Sequence, residues 1–147
     1  LGGRVDNFMG DGLLAVFAGE GPAPAEAAVR AALGLLDASD RMEAYLATAY
    51  GQPFAVRIGV HAGVVVVGSP TPWHRERDTV IGDVVNFASR IEAANKDLGS
   101  RLLVSDVVYA DVAPLVRAGR RVEVEIRGKQ GVHALVEVVG LAGPPPA

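Results

Sequence analysis

Apolar residues recur along this chain with two different periods, and each period predicts a different element. Residues 4–9 and 13–18 are short apolar runs on either side of Gly10-Asp11-Gly12. An Asp-Gly pair between two such runs predicts a β-hairpin. From Ala25 to Tyr50 the apolar side chains repeat every three or four residues, which predicts an amphipathic helix that the following Gly and Pro terminate.

The middle of the chain returns to short apolar runs and then to a second helix. Phe54–Ala62 and Val64–Gly68 predict a second β-rich unit with its turn at Ala62-Gly63. Ser69–Arg77 is polar, contains prolines and is predicted to be a loop. Gly82–Asn95 has helical spacing and is predicted to be the second long helix.

The last third of the chain predicts short elements of both types. They are a strand at 101–104, a short helix at 106–111, and strands at 122–126 and 133–139 joined by a turn at 128–131. The order β-β-α-β-β-α-β-α-β-β predicts an α+β fold with helices packed on a mainly antiparallel sheet. Residues 141–147 form a Pro-rich tail that we expect to be flexible.

Composition narrows the classes of function. The chain has 147 residues, enough for one domain with a real core, and its net charge of -3 gives no electrostatic case for nucleic acid as a partner. No cysteine is present, which excludes a disulfide framework and thiolate metal sites and is compatible with a cytoplasmic location. No apolar run approaches the length of a membrane span. The chain begins at Leu1 rather than Met, so we expect it to be part of a longer protein.

Three side chains stand out as candidates for chemistry. Asn86 and Arg90 lie four residues apart after Gly82, so a helix places the amide and the guanidinium on one face, where they suit a phosphate or a developing oxyanion. A solvated polar face is the alternative interpretation of that pair. Asp11 at the hairpin tip is typical either of turn chemistry or of an oxygen ligand for Mg²⁺ or Mn²⁺.

Two segments carry a resemblance to a known family. Asp78–Glu92 closely resembles the signature helix of class III adenylate and guanylate cyclases, and Asn7–Phe17 resembles a second motif of that family, in the right order and at the right distance. The resemblance implies a ferredoxin-like nucleotidyl cyclase fold over residues 1–140. It also implies that the first strand and first helices of the domain precede Leu1.

The resemblance implies a role for each matching residue. Asn86 would position the ribose, and Arg90 would stabilise charge on the phosphates. Arg127 stands where the family usually has a Lys that contacts the triphosphate, and Lys129 is a possible substitute. Asp11 would bind two ions, Mg²⁺ or Mn²⁺, together with a second Asp that would lie before Leu1.

The two positions that read the purine depart from the common pattern. The family's adenylate cyclases typically carry a Lys where this chain has Asn7 and often an Asp where it has Thr79, while its guanylate cyclases usually carry a Glu at the first position. An amide both donates and accepts hydrogen bonds, so Asn7 is compatible with either base. From residue identity alone, Asn7 and Thr79 leave the choice between ATP and GTP open.

The expected function is conversion of ATP, or less favourably GTP, to the 3′,5′-cyclic nucleotide and pyrophosphate. In the family the site lies between two subunits, which implies a homodimer, and regulatory domains are expected elsewhere in the parent protein. The alternative is a catalytically degenerate cyclase-like domain that binds nucleotide or dimerises to regulate a linked module. A palm-type domain that makes cyclic dinucleotides is disfavoured because its Gly-Gly-Asp/Glu-Glu-Phe run is absent from the sequence.

Overall fold

The computed structural model describes residues 1–68, 79–126 and 128–143. Its elements are β1 (Arg4–Met9), β2 (Gly12–Val16), α1 (Ala23–Tyr50), β3 (Ile58–Val60), β4 (Val66–Gly68), β5 (Thr79–Ile81), α2 (Asp83–Leu98), β6 (Leu102–Ser105), α3 (Asp106–Val112), β7 (Val116–Glu125) and β8 (Val132–Leu141). They follow the predicted order with one strand, β5, added before the second long helix. The predicted loop at 69–77, Arg127 and residues 144–147 of the predicted tail lie outside the described residues.

A four-stranded sheet in the order β3-β6-β8-β7 forms the centre of the molecule. Its β3–β6 pairing is parallel, and every other pairing among the described strands is antiparallel. Helices cover both faces: Leu102 and Val104 of β6 belong to the core cluster that contains α1 and α3 residues, and Leu103 packs with the buried side chains of α2. The alternation along β6 is the period of a strand buried on both sides. The predicted α+β class with a mainly antiparallel sheet is confirmed.

The first helix has the predicted position and length. Its buried residues repeat at intervals of four and three, which places them in one stripe against the sheet: Ala25, Val29, Ala32, Leu36 and Ser39. Gly51 ends the helix in the left-handed conformation, with a φ of 68° and its N–H donating to the Ala47 carbonyl. No helix among the described residues is long and apolar enough to cross a membrane.

The two segments predicted as a β-rich unit around Ala62-Gly63 do not pair with each other as a hairpin. Strand β3 pairs in parallel with β6, and β4 pairs with β5 in a separate two-stranded ribbon. The side chains of Ile58 and Val60 pack against the core cluster beneath α1, which holds β3 in the central sheet. A parallel pairing needs a long crossover, and the segment containing α2 supplies it.

The β1–β2 hairpin forms as predicted, although its turn is Gly10-Asp11 rather than Asp11-Gly12, because Gly12 already pairs with Met9 in β2. At the other end of the chain, Leu141 pairs with Val116, and the Ala142 N–H donates to the Leu115 carbonyl. The last strand therefore extends slightly beyond the predicted domain boundary at residue 140.

Close approach of β3 to α2 depends on Gly59. A Cβ on this residue would lie 2.3 Å from the Glu92 backbone nitrogen and 2.6 Å from the Ala88 carbonyl oxygen. Both neighbours are helix backbone and cannot rotate away. Gly59 therefore sets the distance between the central sheet and the helix that carries Asn86 and Arg90.

Candidate active site

Helix α2 presents two of the predicted site residues on its outer side. Phe87 and Ile91 are buried one helical turn apart and fix which face of α2 meets the sheet. Asn86 and Arg90 each come one residue before one of these buried side chains and therefore lie about 100° away around the helix. Asn86 is exposed and Arg90 is half-buried. Within the described residues neither side chain has a hydrogen-bond or ion-pair partner, which leaves both available to a ligand.

The turn between β7 and β8 lies against the same end of α2. Lys129 Nζ is 2.8 Å from Asp83 Oδ2 in the first turn of the helix, and it sits 5.9 Å from the centre of the Phe87 ring. The neighbouring Gly128 approaches the guanidinium of Arg90 so closely that a Cβ there would lie 3.0 Å from Nη2. The hydrogen bond and the charge of Lys129 lower the pKa of the exposed Asp83 carboxyl.

This contact creates a cationic corner, which we define as Arg90 and Lys129 with the backbone of Gly128. A pocket of about 440 Å³ opens beside it, lined by Glu125, Ile126, Gly128, Lys129 and Gly131. That volume is within the range of small-ligand sites. Arg127, the predicted triphosphate contact, belongs to this turn in sequence but lies outside the described residues. Lys129, the possible substitute for Arg127, is already ion-paired with Asp83, so part of its charge is neutralised before a phosphate binds.

Asp11 lies at the exposed tip of the β1–β2 hairpin. A carboxylate on a tight turn suits a hard divalent cation. The described residues contain no group of three His, Cys, Asp or Glu side chains that could hold a metal ion. Asp11 therefore fits the role of one ligand but does not complete a site for two ions.

The purine-reading candidates come together through a residue that the sequence did not single out. Asp6 of β1 is buried and accepts hydrogen bonds at Oδ2 from the Thr79 hydroxyl and, at 3.2 Å, from the Val80 N–H. Its Oδ1 forms an ion pair with Arg4 Nη2 at 2.8 Å. These bonds tie β1, which carries the exposed Asn7, to the start of β5.

A β-bulge explains why Asp6 turns inward. Val5 pairs with Ala15, and Asn7 pairs with the next residue back, Leu14, so Asp6 is the additional residue in β1. Bulges re-aim single side chains and are frequent beside active sites. A charged residue next to Asn7 in an apolar run was the available signal, but its partner lies 73 positions away in sequence.

The described residues thus form two groups. One is Asn7, Asp6 and Thr79 at the β1–β5 contact, and the other is the cationic corner with Asn86. Gly82 joins them between β5 and α2, with φ 142° and ψ 175°, a conformation that is essentially restricted to glycine. No hydrogen bond or ion pair within the described residues links Asp11 to either group.

Three rings cluster beneath α2 in tilted and edge-on contacts. The Phe87 ring lies between His61 and His133, with centroid separations of 4.5 and 5.0 Å. His61 Nδ1 is 2.9 Å from the Ser105 hydroxyl. Burial, and secondarily the charge of Lys129, lower the pKa of His61. The neutral imidazole therefore belongs to the packing beneath the helix.

Comparisons of the sequence and the structure with known proteins all match cyclase catalytic domains. The model of the adenylate and guanylate cyclase catalytic domain family matches residues 7–137. Adenylate cyclase 1 of Rhizobium meliloti (strain 1021) is 35% identical over 146 residues, covering 95% of this chain and 21% of the relative. The chain therefore spans about one fifth of the length of this curated relative.

Two solved structures have the same fold. The guanylyl cyclase Cya2 gives a TM-score of 0.84 at 25% identity, covering 98% of this chain and 73% of the other. The adenylyl cyclase CyaB from P. aeruginosa gives a TM-score of 0.82 at 25% identity, covering 94% and 72%. The cyclase fold predicted from the two sequence motifs is confirmed.

Proposed function

We propose that this chain, which belongs to the adenylate and guanylate cyclase catalytic domain family, converts a purine nucleoside triphosphate to the 3′,5′-cyclic monophosphate and pyrophosphate. ATP is the proposed substrate, with GTP less favoured. The proposed reaction forms a bond between the ribose 3′-oxygen and the α-phosphorus and breaks the bond from that phosphorus to the departing pyrophosphate. The proton of the 3′-hydroxyl is released to solvent.

One observation carries this proposal. Arg90 lies against Gly128, which lines an open pocket, Asn86 is one helical turn before Arg90 on α2, and Phe87 and Ile91 anchor the helix to the core. A guanidinium without a carboxylate partner among the described residues retains its donors for phosphate oxygens. In the proposed complex Arg90 donates to the α-phosphate and offsets the charge that develops there, and Asn86 orients the ribose.

The phosphate tail would meet the cationic corner. The ammonium group of Lys129 is already neutralised by the Asp83 carboxylate, so Lys129 is a weaker phosphate ligand than an unpaired cation would be. Arg127, adjacent to Gly128 in the sequence, is the proposed first contact with the triphosphate. A planar guanidinium there would bind two phosphate oxygens where a Lys would bind as a point charge.

Cyclase catalytic domains of this family use divalent metal ions, and Asp11 is the proposed protein ligand in this chain. When bound, two such ions would neutralise phosphate charge and favour the ionised 3′-oxygen. Asp11 would supply one carboxylate ligand to the ions, and a second Asp, as the family resemblance implies, would supply the other.

A second copy of the chain is the proposed partner. Apolar side chains lie exposed on both two-stranded ribbons, among them Phe8 and Leu13 on β1–β2 and Val66 and Val67 on β4–β5. Exposed apolar groups of this kind mark interaction surfaces. In the proposed homodimer Asp11 of one subunit faces Asn86 and Arg90 of the other. Within one chain, no hydrogen bond or ion pair among the described residues links Asp11 to Asn86 or Arg90. Linked regulatory domains and a cytoplasmic location remain part of the proposal.

The test is product formation by the longest natural protein that contains this chain. Mn-ATP and Mn-GTP are supplied separately, and cyclic nucleotide is measured. We expect product from one nucleotide and its loss in Asp11→Ala. Asp37→Ala, which removes an exposed carboxylate paired with Arg41 on α1, is the matched control and should remain active. A folded dimer that yields no product from either nucleotide would contradict the proposal.

A regulatory module is the second candidate. Asn7 in place of a Lys and the single carboxylate at the hairpin tip favour a domain that binds nucleotide or dimerises without turnover. This candidate predicts nucleotide binding that is unchanged in Asp11→Ala, with no cyclic product. Product that disappears with Asp11 excludes it.

A further inference from the structure

We infer that Asp6 determines base selectivity by holding Thr79 as a hydrogen-bond acceptor toward the purine, so that the site favours ATP over GTP. This inference rests on the proposed function, because it concerns the base of the same nucleotide. It assigns Asp6 a positioning role, exerted through Thr79 rather than by contact with the substrate.

The carboxylate of Asp6 is suited to fix a hydroxyl proton. Its side chain has no exposed surface, and its Oδ2 receives both the Thr79 hydroxyl and the Val80 N–H. The Val80 N–H is rigid backbone and locates Oδ2 beside β5. Arg4 Nη2 forms an ion pair with Oδ1 at 2.8 Å, and a carboxylate can only accept hydrogen bonds.

This contact decides what Thr79 can offer a ligand. A hydroxyl has one proton to donate and two lone pairs that accept. With its proton directed at the Asp6 carboxylate in a charge-assisted bond, the remaining capacity of the Thr79 oxygen is to accept. Thr79 is half-buried, and in the inferred complex its hydroxyl oxygen faces the base.

The two purines differ where an acceptor matters. Adenine carries an amino donor at the 6-position, whereas guanine carries a carbonyl acceptor there. A hydroxyl oxygen restricted to accepting pairs with the adenine amine and opposes the guanine carbonyl. Asn7, the exposed residue after Asp6, can then donate its amide N–H to adenine N1. The identities of Asn7 and Thr79 alone do not choose between adenine and guanine. The hydrogen bond from the Thr79 hydroxyl to Asp6 favours adenine, because it leaves the Thr79 oxygen only as an acceptor.

The experiment compares kcat/KM for Mn-ATP and Mn-GTP in the longest natural protein that contains this chain. Wild type should favour ATP by about 10- to 100-fold, the discrimination expected from one mismatched polar contact. Asp6→Ala frees the hydroxyl either to accept from the adenine amine or to donate to the guanine carbonyl, so the ratio should fall toward unity. Thr79→Val should lower the ratio similarly, and Thr79→Ser, which keeps the hydroxyl, should retain it.

The double variant separates positioning from a general structural effect. If Asp6 acts through Thr79, adding Asp6→Ala to Thr79→Val should leave the ATP/GTP ratio of the single Thr79→Val variant unchanged. Glu137→Ala is the control, because this half-buried carboxylate on another strand is also ion-paired, with Arg120 at 3.1 Å. It should alter stability without moving the ratio.

Asp6→Ala removes a buried charge and could prevent folding, so Asp6→Asn is the second variant. A neutral amide holds the hydroxyl proton less firmly, and the ratio should fall in the same direction by a smaller factor. Calorimetric binding of non-cyclisable ATP and GTP analogues gives the same ratio without turnover.

Three outcomes would overturn the inference. They are a wild-type preference for GTP, an unchanged ratio in folded Asp6 variants that turn over both nucleotides more slowly, and additive effects in the double variant. Absence of product from both nucleotides in wild type is a different result. It contradicts the proposed function, while the analogue-binding ratio still tests the role of Asp6.

Discussion

The central sheet buries most of its large apolar side chains, whereas the two small ribbons expose most of theirs. In the sheet, Leu103 is 1% exposed and packs against α2, and its neighbours are covered on both faces. In the β1–β2 ribbon, Phe8 is 69% exposed. The sheet with its helices thus completes a core within one chain, whereas the ribbons keep apolar side chains on the surface.

The candidate site is divided between these regions. Asn86 and Arg90 stand on a helix anchored in the core, while Asn7 and Asp11 stand on a ribbon. Changes in the core should therefore alter folding, and changes at exposed ribbon or helix positions should alter assembly or turnover with little effect on folding. The predictions below test that separation.

The largest effect is expected from Arg90→Ala. Loss of a guanidinium that offsets transition-state charge should lower kcat by about 10²- to 10³-fold. The unfolding midpoint should change little, because Arg90 has no ion-pair partner within the described residues. Initial-rate kinetics and urea unfolding measure the two effects, with Arg41→Ala on the exposed face of α1 as control. Near-normal turnover in Arg90→Ala would remove its assigned role.

The second effect concerns assembly. Phe8→Glu puts a charge on the exposed ribbon face and should raise the dimer dissociation constant about 30-fold or more. The monomer should remain folded, because Phe8 contributes little to the core. Tyr45→Glu on α1 is a closely matched control, since Tyr45 is 68% exposed. Analytical ultracentrifugation measures both, and equal dimerisation of the two variants would remove the ribbon from the proposed interface.

The third effect is on folding alone. Gly59→Ala places a Cβ against the backbone of α2 and should lower the free energy of unfolding by about 2–3 kcal/mol. Gly34→Ala, in open space within α1, should instead raise it by about 1 kcal/mol. Urea unfolding of both variants measures the contrast. A neutral Gly59→Ala would mean that β3 and α2 have room to separate.

The smallest effect is a pH dependence from His61. Its pKa is below the usual value of about 6.5, so between the two values the unfolded chain binds more protons than the folded one. Stability should therefore be fully present above pH 6.5 and decline as the pH falls from there toward the folded pKa. Urea midpoints at pH 7.5 and 5.5 should differ less in His61→Gln than in wild type. An identical difference in both would assign the pH dependence to other groups.

Elements governed by local spacing could be predicted from the sequence. The repeat from Ala25 onward places α1 within two residues of its observed start and at its observed end. Helix α2 was predictable for the same reason, because its buried residues Phe87 and Ile91 are spaced one helical turn apart. Spacing alone predicts that Asn86 and Arg90 share one face of this helix, and in the structure both lie outside its buried stripe.

Features that depend on distant partners could not be predicted. The pairing of β3 with β6 could not be predicted because Gly63 permits a turn, whereas burial of Ile58 and Val60 beneath α1 decides the strand's partner. Asp6 was missed because its significance comes from a bulge and from Thr79, 73 positions away. Lys129 is a possible substitute for Arg127 by its sequence position, but its ion pair with Asp83 could not be predicted because only the folded turn brings the two side chains together.

The central claim is that one catalytic site takes Asp11 from one subunit and Arg90 from another. Mixing Asp11→Ala and Arg90→Ala subunits, each inactive alone, tests it by measuring cyclic nucleotide formation after subunit exchange. A heterodimer of the two variants contains one intact site and one doubly altered site. With random exchange, activity should return to about a quarter of the wild-type level. If exchanged dimers form and remain as inactive as the separate variants, Asp11 and Arg90 do not meet across the interface.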